Sequence, residues 1–113
     1  MENKDNRRLL GMLGFAMRAG KVVIGTESVC AAMARTGKYK PRLVLIAQGV
    51  SEGTTKKLLT KSDFYGIDTI KIDIDSSELG RLLGKLYAPA TVAIVDDRFA
   101  EEIRLAAGSS DKA

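Results

Sequence analysis

Gly25-Thr26-Glu27-Ser28, with Lys21 shortly ahead of it, is the segment of this 113-residue chain whose residue types and spacing best suit a chemical task. Val22-Val23-Ile24 runs into it as a short β-branched strand, and an apolar stripe leaves it, so it reads as a junction where strand becomes helix. The first turn of a helix carries unpartnered backbone N–H groups and the positive end of the helix dipole, which suit a phosphate or a base acceptor. Thr26 and Ser28 add hydroxyls, and the Glu27 carboxylate can accept from guanine N–H donors. Arg18, Lys21, Arg35, Lys38, Lys40 and Arg42 are the candidates for a basic surround. The plainer reading is that Thr26 simply caps a helix.

A second segment, Glu78-Leu79-Gly80-Arg81-Leu82-Leu83-Gly84-Lys85, ends in Leu86-Tyr87-Ala88-Pro89-Ala90, which is apolar for a connection. Gly80 and Gly84 permit close helix packing and a turn. A small apolar loop beside a cationic helix end can lie flat against an unpaired base, or it can tuck into the core.

Other chemistries fall away. The chain has no His, which removes His-based triads, general bases and metal ligands. Its single cysteine, Cys30, forms no internal disulfide and reads as a small core residue. Gly20 to Gly25 has the gap of a phosphate-binding loop, but Thr26 stands where Lys is required; around Gly84-Lys85, Gly80 is one residue too close and Leu86 replaces Ser/Thr. Asp73 with Asp75, and Asp96 with Asp97, fall at strand ends where a cation could be held, but they also suit turns and helix caps. No catalytic residue, metal site or cofactor is expected. Residues 1–8 are polar, without a signal-type apolar stretch, and no run reaches membrane-spanning length, so a cytoplasmic location is expected.

The elements that must position these segments alternate. Residues 6–18 read as a helix with Leu9, Leu10, Leu13, Ala16 and Met17 on one face, capped by Asp5 or Asn6, with Gly11 and Gly14 explained by close packing. A second helix is expected from Thr26 to Arg35, stopped at Gly37, and then a basic loop through Arg42. Leu43–Ala47 lacks alternation and reads as a central strand; Ser51 caps a third helix ended by Gly66. Thr69–Ile74 alternates as a strand half covered or near an edge, Ser76 or Ser77 caps a short fourth helix, Thr91–Val95 is another buried strand, and Asp96 or Asp97 caps a last helix to about residue 107. This predicts one α/β domain over residues 1–107, with helices on both sides of a four-stranded sheet, and a polar tail at 108–113. The net charge of +4 is uneven: residues 1–62 hold 12 basic and 4 acidic side chains, against 6 and 10 in the remainder. A basic half suggests an anionic partner, although an uneven surface would look the same.

The ordered set Leu10-Gly11, Arg18-Ala19-Gly20-Lys21-Val22-Val23-Ile24-Gly25, Leu43–Ala47, Thr54-Thr55-Lys56-Lys57, Glu78-Leu79-Gly80 with Gly84-Lys85, and Val92–Asp97 with Phe99-Ala100 resembles the bacterial YlxQ-type branch of the kink-turn-binding ribosomal protein superfamily, the large-subunit L-seven-Ae group. The resemblance spans about residues 7–105. It implies a three-layer α/β/α sandwich with a mixed sheet and a non-enzymatic, cytoplasmic, ribosome-associated role. The partner it implies is structured RNA, with a sharply bent internal loop containing sheared G·A pairs; ribosomal RNA and ribosomal or RNA-processing proteins are candidate partners. Carried onto this chain, the second helix presents Gly25, Thr26, Glu27 and Ser28 to those pairs, with Lys21 ahead of them, and Ala88, Pro89 and Ala90 cover a flipped-out base; Arg35 and Lys38 join the site only as members of the basic surround. Where well-characterised binders carry Asn, Glu and a following Lys, this chain has Glu27, Ser28 and Ala31. Those departures favour a second reading, a protein-interaction module of the same fold that has left RNA behind.

Overall fold

The computed structural model describes residues 4–108, which run α1 (Lys4–Arg18), β1 (Val22–Ile24), α2 (Thr26–Met33), a 3₁₀ turn (Gly37–Tyr39), β2 (Leu43–Gln48), α3 (Glu52–Tyr65), β3 (Asp68–Asp75), α4 (Ser76–Leu82), β4 (Thr91–Ile94) and α5 (Asp97–Gly108). The strands form one sheet in the order β1-β4-β2-β3. Pairing is antiparallel for β1 with β4 and for β4 with β2, and parallel for β2 with β3, so the sheet is mixed.

Side-chain alternation divides the core into two layers. Leu43, Leu45 and Ala47 of β2, Val92 and Ile94 of β4, and Ile72 and Ile74 of β3 meet Leu9, Leu13 and Ala16 of α1, Leu79 of α4, and Ala100, Ile103 and Ala106 of α5. Val44, Ile46 and Ala93 face the opposite way, onto Val29, Cys30 and Met33 of α2 and Leu58 of α3. The architecture is therefore the expected α/β/α sandwich. The unbroken apolar run of β2 follows from burial on both faces, and the alternation of β3 follows from its place at the sheet edge. Cys30 is a core residue.

Several local expectations hold. The Ser51 hydroxyl accepts from Thr54 N at 3.2 Å, Gly66 ends α3 at φ 70°, and Asp96 Oδ1 accepts from Phe99 N at 2.9 Å. Others are corrected. Asp5 and Asn6 lie inside α1 rather than ahead of it. Gly11 and Gly14 do not mark close packing, since a Cβ at Gly11 meets nothing within 4 Å and one at Gly14 meets only the end of Arg18, at 3.7 Å. α2 stops at Met33, short of Arg35, and Gly37 instead takes the positive φ that opens the 3₁₀ turn. α4 is capped by Asp75, whose Oδ1 accepts from Glu78 N at 2.8 Å, so Ser76 and Ser77 are already helical. Gly108 is the last residue of α5; the rest of the expected tail lies outside the described residues.

The topology gives the sheet two poles. Ile24 pairs with Val92 and Ile46 with Thr91, so β1 and β2 end where β4 begins, and α2 and α3 both start at that pole. Lys21, Arg42 and Val95 lie at the other: Val95 N donates to Lys21 O, and Arg42 N donates to Ile94 O.

Close packing is needed at Gly80. A Cβ there would overlap the Tyr87 carbonyl oxygen and come within 3.0 Å of Pro89 Cδ. Gly80→Ala should therefore lose about 1–3 kcal/mol despite its better helix propensity. Gly11→Ala, in open space on α1, should gain about 0.5–1 kcal/mol. Urea unfolding of both variants checks the contrast, which fails if their midpoints shift in the same direction.

Candidate functional site

At the first pole, the β1–α2 junction is held by the start of β4. Gly25 takes φ 104° and ψ 142°, a conformation other residues adopt only under strain, and this turns the chain from strand into helix. Its N–H donates to Thr91 O at 2.8 Å, and its carbonyl accepts the first helical bond, from Val29 N, also at 2.8 Å. The N-cap is thus Gly25, and no side chain caps the helix. Thr26, expected as the cap, instead places its hydroxyl 2.9 Å from that of Thr91. Thr91 is fully buried and needs a hydrogen-bond partner there.

The Thr26, Glu27 and Ser28 amides consequently stand at the start of α2 without a cap, while the Glu27 and Ser28 side chains are exposed. The second segment arrives beside them. Lys85 N donates to Gly80 O, and Gly84, at φ 70°, turns the chain out of α4. The loop then returns over Gly80, and Ala47 N donates to Ala90 O at 2.9 Å, next to Thr91. Pro89 is buried and Ala90 half-buried, whereas Ala88 is exposed, Leu86 is wholly exposed and Tyr87 is 56% exposed. The end of the loop is tucked in, as one reading expects, and its beginning projects into solvent.

Gly25, Thr26, Glu27, Ser28, Ala88, Pro89 and Ala90 therefore share one pole. Lys21, Arg35 and Lys38 do not. Lys21 sits at the opposite end of β1, about 13 Å away at the usual rise per strand residue. Arg35 and Lys38 follow the far end of α2. Two further basic candidates are tied down there: Lys40 Nζ donates to Tyr65 O at 3.1 Å, and Arg42 donates from Nη2 to Gly37 O at 3.2 Å. Arg42 Nε also lies 3.2 Å from Asp97 Oδ1, close enough for an ion pair but off the line of a hydrogen bond. The expected ring of cations around the helix start is thus corrected to a separate group at the other pole.

Cations at the first pole come from elsewhere. α3 starts there, and Lys56 and Lys57 are exposed in its early turns. Lys85 leads into the loop. Only part of a signal for the two α3 lysines was in the sequence: they follow the Ser51 cap closely and stand in the Thr54-Thr55-Lys56-Lys57 segment, but the pole they reach depends on the β2–β4 pairing, which no sequence pattern states. Among the described residues, no group of His, Cys, Asp and Glu could hold a metal ion. Asp75 and Asp96 serve as caps, and Asp73 accepts from Gln48 Nε2 at 2.8 Å. No helix among the described residues is long and apolar enough to cross a membrane.

The sandwich thus sets an uncapped helix start beside a projecting loop. The chain belongs to the ribosomal protein L7Ae/L30e/S12e/Gadd45 family, whose model matches residues 7–104, and is a YlxQ-like member of it. It is 33% identical to the RNA-binding protein YlxQ of Enterococcus faecium over 104 residues, covering 90% of this chain and 94% of that protein. It is 34% identical to the Bacillus subtilis protein of the same name, covering 81% and 87% of the two chains. Among solved structures, a Bacillus halodurans protein described as of unknown function superposes with a TM-score of 0.77 at 27% identity, over 88% of this chain and 95% of that one. A Giardia lamblia 15.5kD RNA binding protein shares the fold, with a TM-score of 0.75 at 15% identity, over 98% and 91%.

The backbone of Gly25 sets where the uncapped amides point. Gly25→Ala meets no neighbouring atom, so its cost is conformational alone, about 1–3 kcal/mol. Gly53→Ala, on α3 with equally open space, should be neutral or stabilising. Thermal unfolding measured side by side checks this, and equal melting temperatures would count against a strained junction.

Proposed function

We propose that this chain is a non-enzymatic RNA-binding protein that recognises a sharply bent, kink-turn-like RNA through the start of α2 and the loop before β4. The observation that carries the reading is the Gly25–Thr26–Thr91 linkage, which holds the uncapped start of α2 at the pole where the loop of small and apolar residues enters β4. Amides and hydroxyls suit backbone and base acceptors. Glu27 suits the exposed N–H edge of guanine in a G·A pair, and Leu86, Tyr87 and Ala88 offer an apolar surface to an unstacked base. Lys56, Lys57 and Lys85 supply phosphate contacts at that pole. Family membership and the names of the YlxQ relatives support RNA as the partner. Ribosomal RNA, in a cytoplasmic, ribosome-associated setting, is the proposed source of the motif.

Titration of a kink-turn RNA against the same RNA with its G·A pairs replaced by Watson–Crick pairs tests this. The first should bind at least about tenfold more tightly, the scale of one well-placed polar contact. Equal affinity would return the protein-module reading. Glu27→Ala should reduce that preference while leaving binding to the replaced RNA nearly unchanged. Lys56→Ala with Lys57→Ala should weaken both RNAs and flatten the log–log salt dependence by about 0.9 for each phosphate no longer neutralised. An unchanged slope would place the phosphate contacts elsewhere.

A further inference from the structure

The cations displaced from the α2 start form a surface of their own. At the far pole a groove is lined by Gly20, Lys21, Lys38, Tyr39, Arg42 and Arg98, with Val95, Asp96 and Asp97 completing its floor. Its charges are unequal in availability. Asp97 is paired with Arg42, and the Asp96 carboxylate caps α5 through Phe99 N. Lys21 and Arg98 are exposed and have no ion-pair partner among the described residues, and neither does Lys38. Three cations therefore lack a carboxylate partner, and with the Asp96 and Asp97 carboxylates set against Lys21, Lys38, Arg42 and Arg98 the groove keeps a net charge of +2. Its one aromatic, Tyr39, is 60% exposed and lies on the 3₁₀ turn, with Lys38 Nζ 5.3 Å from its ring centroid. Arg35, also exposed, precedes that turn and extends the basic rim.

We infer that this groove is a second RNA-binding surface, separate from the α2 start, and that it takes an unpaired RNA strand. With Lys38 over one face of the Tyr39 ring and further cations around it, the groove suits a single strand, whose bases can lie on the ring's other face while its phosphates meet the lysines and arginine. A duplex keeps its base faces covered and would leave Tyr39 without a role. The two surfaces lie at opposite poles of the sheet, so one molecule can hold a bent RNA element at one end and a flanking single strand at the other. The inference concerns a different surface from the kink-turn reading and does not need it to be correct.

The test uses the full chain and a fluorescein-labelled, unstructured uridine-rich RNA 12-mer as probe, by fluorescence anisotropy at low and moderate salt. The wild-type chain should bind the oligomer. Lys21→Glu with Lys38→Glu should weaken it by about tenfold or more and reduce the log–log salt slope by about 0.7 for each phosphate left without its cation. Tyr39→Ala should weaken it about fivefold or more, the loss expected for one stacked base. Glu27→Ala should leave it within twofold of wild type. In the unaltered protein, amide chemical shifts on adding the oligomer should move at Lys21, Lys38, Tyr39 and Arg98. Absence of binding, binding within twofold of wild type for the Lys21/Lys38 variant, or shifts confined to Gly25–Ser28 would each overturn the inference. Competition by poly-glutamate as effective as that by unlabelled oligomer would overturn it in favour of an acidic protein partner. Loss of the G·A preference in the kink-turn titration, by contrast, would leave this result standing.

Discussion

Thr91 is the residue on which the first pole depends. It opens β4, is fully buried, and binds the β1–α2 junction twice, through its carbonyl to Gly25 N and through its hydroxyl to that of Thr26. A buried hydroxyl left alone would cost about 1–3 kcal/mol, so the pairing with Thr26 is close to obligatory once Thr91 is in the core. Thr26 is already the first helical residue, so the pairing ties the helix to β4, while the capping position falls to Gly25, which has no side chain. The uncapped amides at the start of α2 follow from the glycine that the β1–α2 turn, at φ 104°, requires at the N-cap.

The loop that ends at Thr91 is positioned from the other side of the sandwich. α4 packs in the layer opposite α2, and Gly80 brings its backbone against Tyr87 and Pro89. Gly84 then supplies the positive φ that ends α4 and releases Leu86 into solvent. The two halves of the site are therefore assembled from separate layers and meet only at β4. A change in the helix packing of one layer reaches the site through Gly80, and a change in the other reaches it through Gly25.

Much of this architecture was legible in the residues. The unbroken run of β2, the alternation of β3, and the Ser51 and Gly66 signals of α3 each state a burial pattern or backbone requirement directly, and the structure follows them. Local polar chemistry was less legible. Thr26, Ser76 and Ser77 are all suitable caps by type, but each helix starts one or two residues earlier than their types suggest, so Gly25 and Asp75 hold the capping positions. The glycines of α1 and α4 look alike in sequence, yet Gly80 is enclosed and Gly11 is open, because enclosure depends on a loop that returns several residues later. The grouping of cations failed for the same kind of reason. Lys21 and Gly25 are neighbours in the chain, but β1 is extended between them and carries them to opposite ends of the sheet.

That separation constrains how the first pole can attract a ligand. About 13 Å of strand exceeds the screening length of about 8 Å at physiological salt, so Lys21 contributes little field at the start of α2. Glu27 adds a negative charge at the helix start, where it stabilises the dipole by about 0.3–1 kcal/mol and disfavours a bare phosphate at the same amides. An anionic backbone alone is therefore a poor match for that turn. A surface that offers donors and a carboxylate together suits a partner with acceptors and donors side by side, as on the edge of a nucleobase; under the proposed RNA reading the phosphates would fall to the lysines of α3. The composition of the turn, more than its charge, is what would make it selective.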